Sequence, residues 1–150
     1  MKNSTPLLAL LACASLSGCG MKPVESTAPA PGTVYGGILV PLTNDRCYVE
    51  LLNDKRERKG KVFQTTIVAY LLQADRKTPL AEEPASVQVK IDTPKGPMTV
   101  PLQPAPGSGE PAGTRRFASP LGPIELNQTG GEVAVLVGGE TLTGTFRGPR

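Results

Sequence analysis

The chain has 150 residues, 39% of them hydrophobic, with 16 Lys and Arg set against 13 Asp and Glu for a formal charge of +3. That near-balance argues against nucleic acid as a partner, which calls for a strongly basic face, and the length allows one domain around a single core. Histidine is absent and cysteine occurs three times, which removes the commonest general base and metal ligand and leaves no Cys/His zinc site within one chain.

Lys2 and an apolar run from Leu7 to Leu16 open the chain, and Leu16-Ser17-Gly18-Cys19 follows. The run falls short of the roughly 20 apolar residues that span a bilayer. A positive start, a short hydrophobic core and small residues at the cut describe a removable export signal over residues 1–18. Residues 16–19 resemble the lipobox of bacterial lipoproteins. The resemblance implies that a signal peptidase recognises Leu16, Ser17 and Gly18 and cuts before Cys19. It also implies diacylglycerol on the Cys19 sulfur and often a further acyl chain, such as palmitate, on its amine. Each buried methylene contributes roughly 0.8 kcal/mol, so two or three chains hold the protein at a membrane without a transmembrane helix. In relatives with two membranes, an aspartate after the cysteine retains the protein at the inner one. Gly20 stands there, so the resemblance implies the periplasmic side of the outer membrane.

Residues 19–33 read as the lipidated N-terminus and a tether, because Pro23, Pro29 and Pro31 exclude a helix and such segments stay extended. Residues 34–150 form the expected domain. Ile38-Leu39-Val40 opens it, and Thr43-Asn44-Asp45-Arg46 has turn chemistry. Cys47, Val49 and Leu51 alternate with Tyr48 and Glu50, the period of a half-buried strand. A charged loop is expected over Asn53–Lys61. Val62–Leu72 is apolar on both faces and reads as a central strand. Gln73–Pro79 is a loop. Val87–Ile91 and Met98–Leu102 alternate and pair as a hairpin, with Pro101 marking an edge or the end of the pairing. Gln103–Gly113, rich in Pro and Gly, reads as a mobile surface loop, and Arg115–Ser119 as a short strand. Val133–Val137 and Glu140–Phe146 flank Gly138-Gly139, whose glycines suit a type I′ turn. That register sets Val135 opposite Leu142, Val133 opposite Gly144 and Phe146 near Gly131.

Short strands split by Pro and Gly predict an all-β, antiparallel β-sandwich of about seven or eight strands, with immunoglobulin-like topology as the first expectation. Lys55, Arg56, Arg58, Lys59 and Lys61 form the one conspicuous charge cluster. They are candidates for contact with an anionic surface, set against the plainer reading of a solvated loop. With Cys13 in the leader and Cys19 lipidated, Cys47 is left without an intramolecular disulfide partner: it is a candidate reactive thiol or intermolecular disulfide partner, set against the inert buried hydrophobe to which its inward strand phase points. Gly107-Ser108-Gly109 lacks the strand and helix of a phosphate loop.

Tyr35-Gly36-Gly37-Ile38-Leu39-Val40, Tyr48-Val49-Glu50-Leu51, Val68–Leu72 and Asp75–Pro79 are similar to a loosely defined group of small bacterial envelope domains. Some of that group are lone lipoproteins and others sit near periplasmic adaptors of heavy-metal efflux systems. Members often carry histidines where this chain has Tyr35 and Tyr48, so a metal role does not carry over. The expectation is a non-enzymatic envelope lipoprotein without cofactor or metal. It would meet the membrane through the lipid on Cys19 and bind another envelope protein or a glycan, with exposed strand edges as one route. The alternative is a small-ligand or metal carrier attached to an efflux system, for which Met21, Met98 and Cys47 are the soft ligands available.

Overall fold

The computed structural model describes residues 32–124, 126 and 129–148. The expected leader, Leu16, Ser17, Gly18, Cys19 and nearly all of the tether lie outside the described residues. Eight antiparallel strands are present: β1 Ile38–Leu42, β2 Cys47–Lys59, β3 Val62–Gln73, β4 Ser86–Thr93, β5 Gly96–Pro104, β6 Arg116–Ala118, β7 Gly130–Val137 and β8 Glu140–Arg147. They follow one another in space as β1-β2-β3-β6-β5-β4-β7-β8. The all-β class and the strand count are those the pattern called for.

The arrangement is a single continuous sheet rather than two separate immunoglobulin layers. Strands β1-β2-β3-β6 make one layer and β5-β4-β7-β8 the other, and β6 joins them by pairing Ala118 with Gln103 and Phe117 with Pro104. At the far side the layers meet again: the Thr43 amide donates to the Thr143 carbonyl at 2.9 Å, and the Thr143 amide donates to Thr43 Oγ1 at 2.9 Å. Gly144 makes this seam possible. A Cβ there would stand 2.2 Å from the Pro41 carbonyl oxygen, so any side chain would push β8 off β1. The sheet is thus nearly closed into a barrel-like shape.

The inward residues of both layers fill the enclosed space, among them Val49, Leu51, Ile67, Leu71, Val87, Val89, Ile91, Val133 and Val135. Cys47 is 3% exposed and belongs to this core. The β4–β5 hairpin forms as expected, with Val89 opposite Val100. The β7–β8 register also holds, with Val135 opposite Leu142, Val133 opposite Gly144 and Gly131 opposite Phe146. Gly138 and Gly139 have φ of 59° and 78°, as a type I′ turn requires.

Three expectations change. Residues 53–59 are not a loop: β2 runs on to Lys59 and pairs with β3 up to Lys59 opposite Val62, after a bulge between Asn53 and Arg56. Backbone pairing holds this arm together where apolar burial is lacking. Secondly, Tyr48 and Glu50 do not face solvent. They are 5% and 0% exposed, because Arg76 lies over the Tyr48 ring and residues 34–37 close over Glu50. Thirdly, the 105–115 loop is tied down through Glu110 and Ala105, as described below.

Candidate functional site

The outer face of the first layer carries a cluster of bonded polar side chains. Register places Glu50 opposite Tyr70, and Tyr70 opposite Arg116, so three polar side chains cross β2, β3 and β6 in one row. Above the row lies the segment that leads into β1. Glu50 Oε1 accepts the amides of Tyr35 and Gly37, each at 2.8 Å, and Oε2 accepts that of Val34 at 2.9 Å. A carboxylate withdrawn from water is costly unless such donors replace the solvent. Here the carboxylate works as a clamp, fixing the chain at the point where the expected tether becomes domain.

The Tyr35 ring stacks on Tyr70 with centroids 3.6 Å apart and planes 8° from parallel. The Tyr70 hydroxyl donates to Glu110 Oε1 at 2.7 Å. Burial first, and then this bond to an acidic acceptor, push its pKa up to about 12. Arg116, whose side chain is 13% exposed, lies 3.5 Å from Glu110 through Nε. It donates from Nη2 to Asp54 at 2.8 Å and from Nη1 to the Ala105 carbonyl at 2.5 Å. The Gly107 amide donates to Glu110 Oε2 at 3.1 Å. Both ends of the loop following β5 are therefore fastened to the sheet. At the other end of β2, Arg76 donates to the Tyr48 hydroxyl at 3.2 Å, and its guanidinium lies 4.8 Å from that ring. The neighbouring Asp75 carboxyl is held below its ordinary range, first by the Thr78 hydroxyl and then by the Lys77 and Thr78 amides.

Tyr35 and Tyr48 are thus engaged, the first in stacking and the second in a hydrogen bond. Both Glu50 oxygens are engaged as well, so the cluster offers structural rigidity more than proton transfer. No group of three His, Cys, Asp or Glu suited to a metal ion occurs among the described residues. Cys47 is buried, and burial raises its thiol pKa, a rise opposed by the Arg46 charge. Comparison of the chain with protein-family models, with curated proteins and with solved structures returns no match. What the molecule does must be argued from its own surfaces.

Two further surfaces bear on function. The arm carries Arg56, Arg58, Lys59 and Lys61, all exposed, with Lys55 in the same strand. The Arg56 guanidinium lies 4.1 Å from the Phe63 ring centre, and Arg58 Nε donates to the Gly60 carbonyl at 3.0 Å. Phe63 and Val62 are nonetheless 44% and 53% exposed. The second surface is a cleft of about 220 Å³ where β3 and β5 part, lined by Thr65, Ile67, Met98, Val100, Leu121 and Ile124. Thr65 Oγ1 is buried there without a hydrogen-bond partner.

Sequence reasoning identified the basic cluster and passed over Glu50, Tyr70, Glu110 and Arg116. The one available signal was β3 itself, apolar on both faces, which required something to cover the outer face beside Glu50.

Proposed function

We propose that the protein is a non-enzymatic, lipid-anchored component of the bacterial cell envelope, attached through Cys19, whose domain binds or scaffolds another envelope protein or a glycan. The observation that supports this most is the Glu50 clamp. Three amides of residues 34–37 converge on one fully buried carboxylate, so a pull on the chain from the membrane side is passed directly into the central strands β2 and β3. Such a joint suits a domain that must hold its position on a tether. Away from the arm, strand addition is a poor binding route, because the sheet nearly closes there and β5, beside the cleft, carries Pro97 and Pro101. Binding through the arm or the outer face fits better.

Mass analysis of the native protein should find diacylglycerol on residue 19 and no leader, and Cys19→Ser should release the protein from the membrane fraction. An unmodified Cys19 would overturn the reading. Crosslinking in intact cells would then identify the partner.

The cleft under β5 favours a second reading, carriage of a small apolar ligand. Titration with an environment-sensitive apolar dye, and with copper(I), silver and zinc, separates the two. Tight stoichiometric uptake that Met98→Ser or Ile67→Ser abolishes would promote the carrier.

A further inference from the structure

We infer that the β2–β3 arm is a second membrane contact, which lays its basic side chains on anionic phospholipid headgroups and dips Val62 and Phe63 among them. This rests on the reading above only for the presence of a membrane. The argument begins with register. Across the Gly60-Lys61 turn, Lys59 stands opposite Val62 and Arg58 opposite Phe63, so each exposed apolar residue of the tip has a cation as its cross-strand neighbour. Of the nearby acids, Asp54 is held by Arg116 at 2.8 Å, which leaves Glu57 against the cations of the arm. The positive potential is local, since the whole chain is close to neutral. A nucleic-acid surface would call for more charge and no exposed aliphatic tip. An anionic bilayer interface accepts both parts, headgroups pairing with Lys and Arg while apolar side chains enter the acyl boundary.

Placement points the same way. Ile38, the first residue of β1, pairs with Leu51, and β2 continues from there into the arm. Residues 34–37, bonded to Glu50, therefore lie beside the base of the arm. At the rise of a β-strand, the Gly60 turn stands about 25–30 Å beyond Leu51, a reach suited to touching the surface that holds the lipid.

Among the described residues, all eight strands and the core lie within residues 38–147, so a chain beginning at Gly20 keeps these strands and this core without leader or Cys19. The sequence has no tryptophan, so Phe63→Trp gives a single reporter at the tip. With vesicles of phosphatidylglycerol and phosphatidylcholine, its emission should shift to the blue and be quenched by brominated acyl chains. Vesicles of phosphatidylcholine alone should do neither, and added salt should weaken the effect. The combined Arg58→Gln, Lys59→Gln and Lys61→Gln change should weaken binding by about five-fold per charge, or about a hundred-fold in all. Unshifted emission on anionic vesicles, with an unchanged circular dichroism spectrum, would overturn the inference. So would binding that soluble polyanions reproduce in full without quenching. Either result leaves the mass analysis of Cys19 standing, and an unmodified Cys19 would leave the vesicle result standing.

Discussion

Strands β2 and β3 pair along their whole length, yet the two halves of that hairpin are built differently. In the half nearest β1, Tyr48, Val49 and Leu51 face Leu72, Leu71 and Ala69, all six of them buried, and the buried Glu50 faces the half-buried Tyr70. In the outer half, Arg56–Lys59 face Val62–Thr65, and every residue from Arg56 to Phe63 is exposed. The backbone ladder is common to both. The inner half is held by burial on both faces, whereas the outer half depends on its turn, its ladder and a cation over an aromatic ring. The bulge between Asn53 and Arg56 marks the change of regime, and Asn53 anchors it by accepting the Leu126 amide at 3.2 Å. Hydrogen bonding sets where strands lie; burial sets how hard they are to remove.

Substitutions can break this contrast. Leu51→Ala should cost about 3 kcal/mol through the cavity left in the core, read as a lower denaturation midpoint at unchanged slope. Glu50→Gln should cost about 2 kcal/mol, because a side-chain amide presents donors to amides that need an acceptor. Its loss should be accompanied by faster amide exchange at Val34, Tyr35 and Gly37. A wild-type cost for either variant, measured by urea unfolding, would mean that the inner half is held by the ladder alone.

Alkaline titration sharpens the same contrast. Folded Tyr70 keeps its proton up to about 12, against an ordinary value of 10.0. The folded form binds the proton more tightly, so this stabilisation is complete below pH 10 and fades as pH rises through 12. Wild-type stability should fall across that window, and Tyr70→Phe should flatten the decline relative to wild type. The phenolate absorbance should show one late-titrating tyrosine. The smallest effect is expected from the outer half: Phe63→Ala removes an exposed cation–π contact worth about 0.5–1 kcal/mol. It should speed amide exchange within residues 56–64 and leave exchange at Val49 and Ala69 unchanged.

How much of this could be read from residues alone follows the same divide. The β4–β5 and β7–β8 hairpins were legible because alternation and turn residues agree there, down to Val133 opposite Gly144. Why that position is glycine was not legible, since the reason lies in β1, about a hundred residues away, where Pro41 presses against it. The arm reads as a loop in sequence because no apolar period supports it; pairing with Val62–Thr65 depends on a partner strand that a local pattern does not contain. Glu50 was assigned to solvent by its phase, correctly for an uncovered sheet. The cover comes from residues 34–37, and the Pro/Gly-rich loop is attached through Glu110 and Arg116, none of which has a periodic signature. Of the site residues, only the basic cluster announced itself, through charge density.

The arm has one further consequence. Among the described residues no strand pairs with β2 beyond Leu51 on its β1 side, and none pairs with Val62–Gln64 of β3 on theirs. A bare two-stranded ribbon of this kind is a template onto which other copies can grow. Arg56, Arg58 and Lys59 along the β2 rim set like charge against a second copy, whereas Val62–Gln64 on the β3 rim carry none, so growth of such a ribbon should begin on the β3 side.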